Sequence, residues 1–305
     1  MPYKNLFFDL DDTLWAFSQN ARDTFEEMYQ KYGYHRFFHS FEHFYQLYER
    51  RNRELWREYG QGLVDKDELN RQRFLYPLQE VGVVDEALSR QFARDFFEVI
   101  PTKRKLMPHA REVLQELSGR YNLYILSNGF QELQCHKMHS AGIDAYFKKV
   151  ILSDDIGVLK PWPEIFHFAL SVTQSQLHES LMIGDSWEND VAGAAGVGMH
   201  QVFYNVNDIP TTPFLPTFQF HGGVSCLQHI KTNLKDDESA GYTKAIGGYA
   251  KELEKELSGK GKHHDGDKSY PRGACNYGFA FFLVHALRHG EKYRHSAQRI
   301  GQRKK

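Results

Sequence analysis

Apolar residues cluster in short, unbroken runs along the first two thirds of the chain. Lys4–Phe8 (KNLFF), Tyr121–Leu126 (YNLYIL), Val150–Leu152 (VIL) and Leu181–Ile183 (LMI) are each bounded by a polar, Asp- or Gly-bearing turn and followed by a helical pattern. Strands covered by helices on both faces need continuous rather than alternating apolar residues, so these runs predict a parallel α/β sheet. Gln201–Tyr204 and Phe218–Phe220 extend the same sheet.

The first two runs are roughly a hundred residues apart, far beyond an ordinary strand-to-helix connection. From Phe17 to about Phe97 the pattern is helical, with Leu47, Leu55, Trp56, Leu63 and Leu69 spaced irregularly among Glu, Arg and Gln. This predicts an inserted all-helical cap over residues 17–100, with the chain returning to the sheet through Met107–Leu117. The core then comprises residues 1–16 and 101–235. Beyond about Asn233 the periodicity fades into a Lys-, Glu- and Gly-rich stretch. It carries one short helical pattern (Ala250–Leu257), an apolar run (Phe279–Leu287, FAFFLVHAL) and a basic end.

Composition sharpens that boundary. The net charge of −1 hides a split: residues 1–240 carry 24 Lys and Arg against 33 Asp and Glu, and residues 241–305 carry 14 against 6. Residues 236–305 are therefore a basic, Gly-rich C-terminal extension. Its basic residues are scattered and form no groove-reading motif, so nucleic acid is not the expected partner and an extension without function is the preferred reading. Apolar residues at 41% describe an ordinary globular chain, and the high aromatic share of 14% further argues against disorder. Cys135, Cys226 and Cys275 are too few and too scattered for a disulfide framework or a cysteine zinc site. No window approaches the ~18 consecutive apolar residues of a membrane span. The acidic start MPYKNLFFDLDD lacks a signal-peptide apolar stretch. The expected setting is cytoplasmic.

Candidate chemistry sits where the apolar runs end. The first leads into Asp9-Leu10-Asp11-Asp12-Thr13. Ligands of open α/β sheets bind at the carboxyl ends of strands, and clustered carboxylates repel unless a cation or proton compensates them. A hard divalent ion such as Mg²⁺ is the natural compensator. Alone, the same pentapeptide also reads as a solvated turn and helix N-cap. The second run ends in Ser127-Asn128-Gly129, a hydroxyl and successive backbone N–H groups suited to phosphate oxygens. Gly157-Val158-Leu159-Lys160-Pro161 then places a lysine just before a helix opened by Pro163. The fourth run leads into Gly184-Asp185, with Glu188 and Asp190 about one helical turn beyond.

Acid pair, hydroxyl, lysine and acid thus follow in the order DxDxT, SN, KP, GDxxxND over residues 3–235. In this the chain resembles the haloacid-dehalogenase-like (HAD) superfamily, a Rossmann-like parallel-sheet fold. The resemblance implies a Mg²⁺-dependent phosphomonoester hydrolase working through an aspartyl-phosphate. Asp9 matches the nucleophile, Asp11 the general acid and base, and Ser127 with Asn128 the phosphate-binding turn. Lys160 matches the charge-neutralising cation. Asp9, Asp11 (through its backbone carbonyl) and Asp185 match the metal ligands, with Asp190 supporting the metal through water. An acid at the Asp11 position favours phosphate esters over haloacids, because a departing halide needs no proton.

Within the predicted cap, Asn52, Leu55-Trp56, Tyr59, Gly62 and Arg73-Phe74, together with Asn128-Gly129-Phe130, look like the bacterial pyrimidine 5′-nucleotidases. The implied substrate is a nucleoside monophosphate. Trp56 and Tyr59 could stack on its base while Asn52 or Arg73 bonds the base edge; an aromatic pair three apart on a helix equally serves packing. The alternatives are a phosphatase or phosphomutase for sugar phosphates, and a non-catalytic phosphate-binding regulator. The glycines Gly193, Gly196 and Gly198 read as the end of a helix, not a dinucleotide fingerprint. His263-His264 with Asp265 and Asp267 reads as a solvated turn.

Overall fold

A computed structural model describes residues 3–209, 211 and 214–221; the expectations for residues 236–305 fall outside this range. Six strands form one sheet: β1 (Asn5–Phe8), β2 (Asn122–Ser127), β3 (Lys149–Leu152), β4 (Ser180–Gly184), β5 (His200–Asn205) and β6 (Phe218–His221). Their order across the sheet is β3-β2-β1-β4-β5-β6, with every neighbouring pair parallel. In register, Phe8 lies between Ile125 and Ile183, so β1, β2 and β4 end side by side.

The continuous apolar runs are explained by burial on both faces. Leu6, Phe8, Leu123, Ile125, Leu181, Ile183 and Val202 pack on one side of the sheet. Phe7, Tyr124, Leu126, Ile151 and Met182 pack on the other, against Ile165, Phe166 and Ala169. The second group lies on α7 (Pro163–Thr173), which begins with the proline. The pleat sends alternate residues to opposite faces, and here both are dry.

Four α-helices follow β1 as an insert: α1 (Phe17–Lys31), α2 (Phe41–Gly60), α3 (Lys66–Glu80) and α4 (Glu86–Val99). The chain then returns through α5 (Ala110–Ser118). Side-chain caps set three of these helix starts. Ser40 accepts from His43 N–H, Asp65 from Glu68 N–H and Asp85 from Leu88 N–H. The insert explains the high aromatic content. Phe25 sits among Phe44, Tyr48, Phe74, Phe92 and Phe96, with ring centroids 4.1 Å from Tyr48 and 4.3 Å from Phe96. Such edge and tilted contacts add to plain area burial. The irregular leucine spacing resolves by position: Leu55 and Leu69 are fully buried, whereas Leu63 lies in the α2–α3 turn and is 70% exposed. Among the described residues, no helix is long and apolar enough to cross a membrane.

Candidate active site

Asp9 continues β1, its N–H donating to the Ile183 carbonyl of β4 at 2.9 Å. The chain then doubles back, with Leu14 and Trp15 N–H both donating to the Leu10 carbonyl. Asp12 takes a left-handed conformation (φ 57°) and accepts from Ser18 N–H at 2.9 Å and from its hydroxyl. Of the three acids here, Asp12 therefore serves the first turn of α1, leaving Asp9 and Asp11 for other work.

Lys160 joins the strand ends. Only 3% exposed, it donates from Nζ to Asp9 Oδ1 at 2.7 Å, Asp190 Oδ1 at 2.6 Å and the Leu126 carbonyl at 2.8 Å. All three ammonium protons are engaged, two of them by carboxylates. Asn128 fixes the lysine's backbone: its Oδ1 accepts from Lys160 N–H at 2.7 Å, and its Nδ2 donates to the Lys160 carbonyl at 2.9 Å. The Asn128 side chain thus positions Lys160, while the Ser127-Asn128-Gly129 turn keeps its place at the end of β2.

Asp185 follows β4 and is oriented by Thr13. Its N–H donates to Thr13 Oγ1, and that hydroxyl donates to Asp185 Oδ1, both at 3.1 Å. Asp190 belongs to the π-helical segment Trp187–Ala192; its Oδ2 accepts from Ser186 N–H at 3.0 Å. Gly184 makes this approach feasible, because a Cβ there would lie 2.1 Å from Asp190 Oδ2. Asp9, Asp185 and Asp190 each offer a carboxylate oxygen, all within 4.8 Å of one another.

Two buried carboxylates, Asp9 and Asp190, and the half-buried Asp185 outnumber the one lysine among them. Burial pushes the Asp9 pKa up to about 7; Lys160 opposes the rise, and Asp190 and Asp11 add to it. Burial, followed by Asp9 and Asp190, likewise holds Asp185 well above the carboxylate range. Burial disfavours the Lys160 ammonium, but Asp190 and Asp9 outweigh it and raise its pKa. This all-oxygen, under-compensated cluster fits a hard divalent cation such as Mg²⁺, with Asp9 and Asp185 as the carboxylates to hold it. Asp190 is already engaged by Lys160 and Ser186.

A second cluster adjoins it. Lys137 Nζ donates to Asp11 Oδ1 at 2.8 Å and Oδ2 at 3.0 Å. Gln134 Nε2 bridges Asp11 Oδ2 at 3.0 Å and Ser127 Oγ at 2.8 Å. Both residues lie on α6 (Gln131–Ala141), whose first turn closes over Gly129; a Cβ at that glycine would meet the Gln134 side chain at 2.3 Å. Sequence reasoning missed Gln134 and Lys137 and gave Thr13 no role of its own. A signal did exist: positions 134, 137, 138 and 141 form one buried helical face, and two of its members are polar.

The four residues singled out in the insert form two groups. Trp56 stacks on Phe130 at 5.5 Å, and Tyr59 meets the same ring edge-on at 6.1 Å, with Leu55 and Leu69 completing the cluster. Arg73 is buried within the insert, near Asn52 Oδ1 at 3.4 Å and bonded to Asn70. Its guanidinium lies 5.0 Å from the Phe97 ring centre. The aromatic pair thus packs on the residue that opens α6, and Asn52 joins Arg73 elsewhere on α2 and α3.

Comparison with known proteins agrees with this fold. The chain is 28% identical over 220 residues to the HAD-hydrolase YfnB of Bacillus subtilis, covering 71% of this chain and 91% of that protein. The crystal structure of YfnB bound to magnesium matches with a TM-score of 0.66 at 26% identity, over 77% of this chain and all of that one. Pyrimidine 5′-nucleotidase YjjG of Escherichia coli is 27% identical over 208 residues, 68% of this chain and 88% of that protein. A glyceraldehyde 3-phosphate phosphatase of Pyrococcus abyssi is 32% identical over 208 residues, 66% of this chain and 81% of that protein. The family model for haloacid dehalogenase-like hydrolases matches residues 3–198, which takes in β1 to β4 and every side chain of the strand-end cluster, and the chain belongs to that family.

Proposed function

We propose that the protein is a Mg²⁺-dependent phosphomonoesterase acting through an aspartyl-phosphate on Asp9, with nucleoside monophosphates as its substrates. The observation that carries this reading is Lys160, buried and bonded at 2.7 Å to Asp9 in a cluster of three carboxylates around one ammonium. Such a centre suits an incoming phosphoryl group only with further positive charge, and Mg²⁺, when bound, supplies it to the phosphoryl oxygens.

The chain's own groups then divide the work. The Asp9 carboxylate attacks phosphorus in line and forms the acyl-phosphate, while the ester oxygen leaves. Asp11 gives that oxygen its proton, then takes one from the water that hydrolyses the aspartyl-phosphate. The Ser127 hydroxyl and the backbone N–H groups after it bind phosphoryl oxygens. Lys160 keeps its protons throughout and balances Asp9 and the substrate. Thr13 holds Asp185 in place, and Asn128 holds Lys160.

The nucleotide preference is supported by the similarity to YjjG across most of that protein's length. A second reading, sugar phosphates, is favoured by the similarity to the glyceraldehyde 3-phosphate phosphatase. Comparing kcat/KM for a panel of nucleoside monophosphates and sugar phosphates in Mg²⁺ separates them. The proposal expects a pyrimidine nucleoside monophosphate to lead. A sugar phosphate in first place would replace it, and a panel without turnover would remove the phosphatase reading.

A further inference from the structure

The mechanism above gives no role to a buried cation beside Asp11. Lys137 is 3% exposed, lies on α6 outside the four motifs, and directs its ammonium at both oxygens of Asp11. The rings of Trp15 and Phe17, 4.8 and 5.1 Å from Nζ, flank it on the turn that follows Asp11. Gln134 grips one Asp11 oxygen and ties it to Ser127. The Asp11 side chain itself is 28% exposed and, without these partners, would be free to change rotamer toward water.

We propose that Lys137 is a positioning residue that, with Gln134, fixes the Asp11 carboxyl beside the phosphate-binding turn so that it meets the ester oxygen of the substrate. This rests on the phosphatase reading. As the phosphorus–ester oxygen bond breaks and the Asp9–phosphorus bond forms, the Asp11 proton passes to the departing oxygen, giving the free alcohol. The carboxylate left behind recovers a proton from the hydrolytic water. Lys137 gains and loses no proton in either step. Its contribution is orientation, since a misplaced general acid forfeits most of its advantage. An interaction made only to pin α6 against the β1 turn would not distinguish one ester from another.

Leaving-group chemistry provides the test. An alkyl phosphate needs its departing oxygen protonated; p-nitrophenyl phosphate, whose phenolate is stable, hardly does. Lys137→Met should lower kcat/KM, which reports only the steps up to departure of the ester oxygen, about tenfold or more for an alkyl phosphate and leave kcat/KM for p-nitrophenyl phosphate nearly unaffected. Asp11→Asn should show the same ester dependence more strongly, and adding Lys137→Met to it should cost nothing further. Equal losses on both esters, or losses that add to those of Asp11→Asn, would overturn the positioning role. Lys137→Gln, which keeps a donor at the site, is read the same way if the methionine variant does not fold. An Asp11→Asn variant indifferent to the leaving group would instead defeat the phosphatase reading itself, so the two failures are distinguishable.

Discussion

Two buried cations, Lys160 at the strand ends and Arg73 in the helical insert, have opposite surroundings. Lys160 is enclosed by Asp9, Asp190 and a carbonyl, in a cluster where three carboxylates meet one ammonium. Arg73 is held by neutral groups, the amides of Asn52 and Asn70 and the faces of Phe74 and Phe97, and its Nε has no partner among the described residues. Burial lowers its pKa. The first arrangement is incomplete without an added cation and an anionic substrate. The second is enclosed entirely by neutral side chains of the insert. Burying a charge is costly in either case, so how it is compensated separates a reactive centre from a packed one.

The largest effect expected from this contrast is at Lys160. Lys160→Met should reduce kcat/KM by about 10²–10³-fold, as for loss of a preorganised electrostatic partner. In metal-free protein it should also cost about 3–5 kcal/mol of stability, because Asp9 and Asp190 stay buried and unpaired. Steady-state kinetics and chemical denaturation check both. A variant with near-normal kcat would break the comparison.

Next comes the pH dependence of metal-free protein. The Asp9 pKa is raised in the folded chain from 3.8 to about 7, so the folded state holds a proton that the unfolded state has released. Its stabilising contribution is complete below the unfolded value and lost as pH rises through the folded one. With chelator present, Tm should therefore fall between about pH 4 and pH 7, and Asp9→Asn should lose that component of the fall. Metal ligation requires the carboxylates, so added Mg²⁺ should raise Tm more at the higher pH. Equal Mg²⁺ stabilisation at both pH values would contradict the assignment of the ion to Asp9 and Asp185.

The smallest effect belongs to the insert. Trp56→Ala removes the stack on Phe130 and should cost about 1–2 kcal/mol of stability. If Trp56 only packs, KM should shift equally for a nucleoside monophosphate and for p-nitrophenyl phosphate. A rise confined to the nucleotide would make Trp56 a base-recognition residue and sharpen the substrate assignment.

These differences also explain what could be read in the sequence. The strands were legible because both faces of β1, β2 and β4 are buried, which leaves unbroken apolar runs. Asp9, Ser127 and Asp185 were legible because each stands where a run stops, and parallel strands bring such ends together; Lys160 was legible as the lysine beside Pro161, just ahead of the helix opened by Pro163. Lys137 and Gln134 were not, since on a helix of mixed polarity an inward-facing lysine looks like a solvated one until its partner, Asp11, is placed. Trp56 and Tyr59 stood out as an aromatic pair. Their shared partner, Phe130, caps the start of α6, and no local pattern announces a tertiary contact across that separation. Leu63 misled for a simpler reason: it follows the end of α2 and so falls outside the helical stripe.

The central claim is that Asp9 carries the phosphoryl group during turnover, and trapping tests it most directly. Protein quenched in acid during hydrolysis of a monoester, then digested and analysed by mass spectrometry, should carry a phosphoryl group on the Asp9 side chain. Asp9→Asn should carry none and should not turn over. Undiminished turnover by Asp9→Asn, or a phosphoryl group trapped on a different residue, would contradict the account.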